Sequence, residues 1–241
     1  MSKNRTNRAG KILVNNQGVK FRIIKHITSE NMNIQFLDEH GAIIKGVQYS
    51  ALKRGQVKNP YFPNVCGVGY YGEDELKNKD YCKIWRGMLS RCYDKKTQER
   101  NPTYKGVEVC KEWWNYQNFA KWCRDNFVEG WQLDKDILCP TCKVYSPETC
   151  SFVPYEINNL YKQIARENKI PTGVNPRRGG YVANITIDRK NKFLGDFDTK
   201  EEASQAYNRI KEQHIKKIAE QYKDKIDPRV YEAMINFVVE K

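Results

Sequence analysis

The sequence predicts an α+β fold assembled from several small modules rather than one continuous core. Three observations lead there. The first 66 residues hold short alternating apolar runs, the middle holds aromatic residues at helical spacing, and the last third reads as three strands followed by one long helix. With 5 Trp, 15 Tyr and 9 Phe, the chain has enough aromatic area for cores even though only 39% of its 241 residues are hydrophobic.

In residues 1–66 the runs KILVNN, VKFRIIKHI, MNIQFLD and IIKGVQYS are separated by polar and glycine-containing breaks, which predicts a small antiparallel sheet or barrel. Residues 67–79 belong to a stretch with Gly or Pro every few positions and read as a linker. From residue 80, Ile84, Trp85, Met88, Leu89 and Cys92 recur at helical spacing, so an amphipathic helix is expected over about residues 80–93. A second helix is expected in WNYQNFAKWCRDNF, with Phe119, Trp122, Cys123 and Phe127 on one face. Both stripes read as core. Between them YKGVEVC is strand-like, and after them WQLDKDILCPTCKVYSPETCSFVPYEINNLY reads as a strand from Trp131 to Leu138, a loop, a strand around Cys150–Val153 and a helix from about Pro154.

Residues 171–226 follow a clearer pattern. Strands are expected at Thr172–Asn175, Tyr181–Asp188 and Lys192–Phe197, with turns at Gly179-Gly180 and Arg189-Lys190-Asn191. Asp198-Thr199 followed by Glu201-Glu202 is an N-cap with an acidic first turn, and Ala203, Ala206, Tyr207, Ile210 and Ile218 form a helical stripe to about Tyr222. By alternation Tyr181, Ala183, Ile185 and Ile187 face that helix, while Val182, Asn184 and Thr186 face outward. Residues 227–241 open with Asp227-Pro228, N-cap and first-turn chemistry for a short apolar helix.

Charge narrows the partner. Forty-two basic against 29 acidic residues leave +13, which points to a polyanion, most often nucleic acid. The excess is uneven: 11 basic and 3 acidic residues in 1–66, 17 and 15 in 67–170, 14 and 11 in 171–241. In the first segment Lys20, Arg22, Lys25, Lys53, Arg54 and Lys58 either track phosphates or form a solvated sheet face. No apolar run approaches the ~20 residues needed to cross a bilayer. The basic start lacks an apolar stretch long enough for a secretory signal, so a soluble, cytoplasmic chain is expected. In that compartment the eight Cys read as thiols or metal ligands rather than disulfides.

Two groupings carry candidate chemistry. On a strand running through LDKDI, Asp134 and Asp136 share one face and Lys135 takes the other, so the two carboxylates either hold Mg²⁺ or are strand-end residues that pair with Arg86 or Arg91. Cys139-Pro-Thr-Cys142 has knuckle spacing. A structural zinc there takes two further ligands from Cys150, Cys110 and Cys92, whereas Cys82 and Cys123 read as buried apolar residues.

The strand-loop-strand-helix order, preceded by W-R-G-M-x-x-R-C-Y (Trp85 to Tyr93) and G-V-x-V-C-x-E-W (Gly106 to Trp113), resembles HNH-type endonucleases carried by phages and mobile elements. The resemblance implies a degenerate HNH-like (ββα) core over residues 80–170 with flanking helices. In that core Asp134 and Asp136 are metal ligands, Lys135 or Glu148 assists, and Mg²⁺ or another divalent cation is the cofactor. Two positions depart from the family: Lys135 stands where a His is expected to activate water, and Thr149 where Asn is usual. The three His of the chain, His26, His40 and His214, lie outside this segment.

In the last third, Gly173-Val174, an aromatic before Val182-Ala183-x-Ile185, and F-L-G-x-F-x-T-x-E-E-A-x-x-A-Y from Phe193 to Tyr207 resemble the Apetala-two (ethylene-response-factor) DNA-binding domain. The resemblance implies that the open sheet face enters the major groove with Asn175, Arg177, Arg178, Asn184, Thr186, Asn191 and Phe193 on it, and that Lys190 or Lys192 holds phosphates. The other reading is a small sheet-helix module packed on a neighbour. Together the resemblances imply a sequence-specific protein for double-stranded DNA of phage or mobile-element type, working in a bacterial host cell as a homing or HNH endonuclease. The alternative is a catalytically inactive HNH-like scaffold that binds DNA or regulates.

Overall fold

In the computed structural model, which describes residues 7–73, 76–161 and 170–239, the N-terminal alternation becomes a four-stranded antiparallel sheet. Strands β1 (Ile12–Val14), β2 (Lys20–Thr28), β3 (Asn31–Phe36) and β4 (Ile43–Val47) lie side by side in chain order, so the sheet is open and not a barrel. Its inward positions Phe21, Ile23, Met32, Ile34 and Phe36 are fully buried, and helix α1 (Tyr49–Lys53) adds Leu52 to the same core. One turn of helix with one buried side chain leaves almost no periodicity to detect, which is why the sequence does not announce α1.

This sheet belongs to the first of two compact units, residues 1–125 and 126–241. The rest of the first unit is helical, with α2 (Lys79–Tyr93), α3 (Lys95–Arg100), the short strand β5 (Glu108–Val109) and α4 (Tyr116–Asn126). Helix α2 starts where the Asn78 side chain accepts the backbone N–H groups of Asp80 and Tyr81, satisfying two donors that the first turn leaves without partners. Its predicted stripe is core: Trp85, Met88 and Leu89 are wholly buried, and the Trp85 indole donates to the Trp113 carbonyl at 2.6 Å. Trp113 in turn meets the edge of Phe119 from α4 at 5.1 Å between ring centres. A buried indole needs such an acceptor, and here the core supplies it.

The second unit opens with β6 (Gln132–Asp134), β7 (Val144–Tyr145), β8 (Ser151–Val153) and α5 (Tyr155–Leu160). Strands β6 and β8 pair antiparallel, Gln132 with Val153 and Asp134 with Ser151. The strand expected to reach Leu138 ends at Asp134. There the carboxylate Oδ2 accepts the backbone N–H groups of Asp136 and Ile137, both at 2.8 Å, and this local turn outcompetes continuation of the ladder.

Strands β9 (Val174–Arg177), β10 (Gly180–Ile187) and β11 (Lys190–Phe197) form an antiparallel sheet with β10 in the middle. The hairpins are tighter than the sequence suggested. Arg178-Gly179 closes the first, and Asp188-Arg189, with φ of 52° and 61°, closes the second as a type I′ turn, so Lys190 and Asn191 are strand residues. Pro176 is tolerated because β9 is an edge. A bulge opposite Ala183 and Asn184 consumes Leu194, which packs inward with Tyr181 and Phe197 while Phe193 stays outside.

Helix α6 (Lys200–Tyr222) begins with a capping box. The Thr199 hydroxyl accepts the Glu202 N–H, and the Glu202 carboxylate accepts the Thr199 N–H. Its first half buries Ala203 against Val174 and Ala183 of the sheet. Its second half buries Ile215, Ile218 and Ala219 in a core with Ile137, Val153 and Ile157 of the strand-strand-helix segment, and with Val230 and Met234 of α7 (Pro228–Ile235). The border expected near residue 170 falls beside residues 162–169, outside the described residues. No helix among the described residues is long and apolar enough to cross a membrane.

Two glycines with similar positive φ separate strain from collision. A Cβ at Gly173 (φ +81°) would lie 2.0 Å from the Tyr207 ring and 2.7 Å from the Asn184 carbonyl oxygen, whereas one at Gly179 (φ +89°) meets nothing within 4 Å. Gly179→Ala is expected to cost about 1 kcal/mol and Gly173→Ala more than about 2 kcal/mol in urea unfolding, because only the second adds overpacking to backbone strain.

Candidate nucleic-acid interface

Cross-strand register decides which side chains share a face. Val182 pairs with Asn175 and Asp196, Asn184 with Phe193, and Thr186 with Asn191, so these residues and Arg177, two positions beyond Asn175, stand on the side away from α6. Asn175, Arg177, Thr186 and Asn191 are exposed, and Phe193 is 61% exposed. Arg178 projects from the turn that links β9 to β10. Seven of the nine nominated residues are thus gathered on one face or its rim.

Lys190 and Lys192 are the exceptions. They pair with Ile187 and Ile185, and Ile185 is buried on the helix side, so both lysines lie on the face opposite Asn184 and Thr186. The sequence put the turn at residues 189–191, which left the side of these two lysines undefined. Lys192 is instead near enough to His214 of α6 for its positive charge to help lower the imidazole pKa, after the larger effect of burial.

Two features of the face were not visible beforehand. Arg177 Nη1 forms an ion pair with Asp196 Oδ1 at 2.7 Å, with both side chains more than half exposed. Such a pair is worth little to stability, but it occupies one donor of the fork and sets a carboxylate among the nominated residues. In addition, a cleft of about 340 Å³ runs from Asn175, Asn184, Thr186 and Asn191 to Tyr207, Lys211 and His214 of α6. Burial holds the Lys211 and His214 pKa values below their ordinary positions. Tyr207, Lys211 and His214 follow a four-then-three spacing, which marks a common helix face, but only the sheet packing aims that face at the cleft.

The nominated nuclease residues are arranged otherwise than expected. Asp134 is the last residue of β6 and Asp136 lies in the turn beyond it, so the two do not share a strand face. Asp134 Oδ2 is occupied by two backbone N–H groups, and burial pushes its pKa up against the pull of those bonds. Lys135, expected to point into the opposite face of a strand, is only 7% exposed; its Nζ donates to Asp136 Oδ1 and, at 3.2 Å, to the Cys142 carbonyl. An ammonium beside Asp136 and a filled oxygen on Asp134 do not fit a divalent cation held between the two carboxylates.

Glu148 sits in the loop between β7 and β8. Its pKa is held down first by a Ser146 hydrogen bond, with the positive charge of Arg229 as a smaller influence. That guanidinium also donates to the Pro147 and Glu148 carbonyls at 3.3 and 3.2 Å, tying the loop to the start of α7. Of the nominated zinc ligands, Cys139 and Cys142 are joined to each other as a disulfide, Cys150 is a buried thiol and Cys110 a half-buried one. A C-x-x-C pair bonded internally offers no thiolate to a metal. Among the described residues no group of three or more His, Cys, Asp or Glu is placed to hold a metal ion.

No family model, no curated protein and no solved structure matches the chain.

The Arg229 anchor is open to a pH test. Burial would raise the Asp227 pKa, but hydrogen bonds from Arg229 more than offset it, leaving the carboxyl below its usual 3.8. A depressed folded pKa gives stability that is present above the unfolded value and is lost as pH falls through the folded one. Asp227→Asn, which keeps an N-cap oxygen, is expected to cost about 1–2 kcal/mol near pH 7. In urea titrations the gap from wild type should close below about pH 4.

Proposed function

We propose that the protein binds double-stranded DNA sequence-specifically through the outer face of the β9–β11 sheet, with the β6–β8–α5 segment serving as a scaffold of HNH-like order. The observation that carries this reading is the gathering of Asn175, Arg177, Asn184, Thr186, Asn191 and Phe193 on the sheet face opposite buried Ala183 and Ile185, with Tyr207, Lys211 and His214 of α6 reaching only the cleft at one end. Such a face has a use at a groove floor. Asn offers a donor and an acceptor for adenine, Arg offers a fork for guanine, and an exposed Phe offers apolar contact to a thymine methyl. Arg178 at the turn and the net charge of +13 supply attraction to the phosphate backbone. The resemblance of residues 172–222 to Apetala-two domains points the same way. A phage or mobile-element setting, and hence a bacterial cytoplasm, follows from the HNH-like order.

The scaffold reading is favoured over the nuclease reading by the chemistry of the LDKDI turn. A hydrolytic site needs a base, an accessible metal and room for a water. Here one carboxylate is spent on backbone N–H groups, the other faces an ammonium, and no His lies between Trp131 and Leu160.

Binding-site selection from random duplex DNA is expected to return a defined motif, and Asn184→Ala or Arg178→Ala to weaken that complex by about 1–3 kcal/mol where the side chain meets a base. Asp196→Asn should tighten binding by up to about fivefold, since it releases Arg177 and removes a carboxylate from the face. Unselective binding, or affinity indifferent to all three substitutions, would refute the proposal. Plasmid incubated with Mg²⁺ or Mn²⁺ is expected to stay intact, and nicking that disappears in Asp134→Ala would reinstate the nuclease.

A further inference from the structure

A cavity of about 860 Å³ opens in the N-terminal unit, between the loop that follows α1 and one side of α2. Its lining divides into two chemistries. Ile44, Pro60, Leu76, Tyr71 and the buried Tyr116 make an apolar and aromatic wall, while Lys58, Lys79, Lys83 and Arg86 stand exposed at the rim. Lys79, Lys83 and Arg86 are spaced four and three residues apart and so form one stripe along α2. No described carboxylate lies in an ion pair with any of the four cations.

The wall is preformed. Gln117 accepts the Leu76 N–H at 2.9 Å and donates to the Tyr71 carbonyl at 3.1 Å, so one buried amide fixes the backbone at both of these lining residues. The Tyr116 hydroxyl donates to the Asn78 carbonyl at 2.9 Å, which anchors the entry to α2. Gly72 has φ +71°, and a Cβ there would lie 2.5 Å from Asn115 Oδ1. A cavity shaped before its ligand arrives spends less binding energy on ordering.

We propose that this cavity binds a nucleotide, with the planar base against the Tyr71–Tyr116 wall and the phosphate on Lys79, Lys83 and Arg86. Ligand pockets run to about 300–1,000 Å³, are mostly apolar and carry a few placed polar groups, which is the arrangement here. An aromatic wall selects a flat ring over an aliphatic anion, and base stacking on aromatic side chains is tolerant of base identity. A stripe of cations with no ion-pair partner among the described residues holds a positive potential where the phosphate would sit. The site lies in a different unit from the β9–β11 face and takes a ligand of a different form, so neither proposal depends on the other.

Titration of the full-length chain with a fluorescent deoxynucleoside monophosphate, and separately with an eight-nucleotide single strand, tests it. Binding of the monophosphate identifies a free nucleotide as the ligand, and binding of the strand alone identifies a nucleotide within single-stranded nucleic acid; either supports the site when it maps there. Mapping requires that Lys83→Glu with Arg86→Glu weaken binding at least tenfold and that Tyr71→Ala weaken it severalfold, with thermal unfolding of the doubly substituted chain unchanged. Arg178→Ala should leave this titration unaltered. Failure of both probes to bind at millimolar concentration would overturn the inference. So would affinity untouched by the substitutions, or inorganic phosphate competing as well as the nucleotide.

Discussion

The C-terminal unit depends on the sharing of helix α6 between two cores. Ala203 lies against Val174 and Ala183 of the β9–β11 sheet, and further along the same helix Ile215, Ile218 and Ala219 close a core with Ile137, Val153, Ile157 and α7. A helix of 23 residues spans about 34 Å, long enough to serve both. Because small Ala203 meets Val174 and Ala183, helix and sheet approach closely on that face, and Asn175, Arg177, Thr186, Asn191 and Phe193 remain exposed on the other. The same helix thus packs against both the β9–β11 sheet and the β6–β8–α5 segment, the two parts the sequence separates. Gly173 lies at this joint, where the Tyr207 ring fills the space a side chain would need.

A second constraint sets the chemistry of the β6 end. A strand carrying aspartates at alternate positions would present two carboxylates side by side, but an aspartate at a strand end also has a local alternative, bonding the amides just beyond it. Asp134 takes that alternative, and each N–H it accepts makes its oxygen less available to a metal. Lys135 then turns into the protein and brings its charge against Asp136. An ammonium this buried needs a carboxylate and a carbonyl near it, and it has both. The segment has the local bonding of a structural turn.

The sequence made the periodic parts legible. The stripe at Trp85, Met88 and Leu89, the box at Thr199 and Glu202 and the Asp227 cap of α7 all lie where spacing placed them, because each is written in residues close along the chain. The alternation of Asn184 and Thr186 against Ala183 and Ile185 likewise gave the outer face. What stayed hidden was set by geometry that spacing along the chain does not record: the hairpin register that puts Lys190 and Lys192 on the far side, the cross-sheet ion pair from Arg177 to Asp196, and the joining of the neighbouring Cys139 and Cys142. The approach of Tyr207, Lys211 and His214 to the sheet cleft belongs to the same class. The Asp134 turn is a different kind of miss, since strand and turn were both compatible with LDKDI and only the bonding of one carboxylate decided between them.

Amide hydrogen exchange, followed by mass spectrometry with and without a selected duplex, tests the central claim that DNA is read by the uncovered sheet face. Slowed exchange is expected in peptides covering residues 174–197, with the buried half of α6 around Ile215 and Ile218 unaltered because it is already protected. Tight duplex binding with exchange across residues 174–197 unchanged would contradict the account.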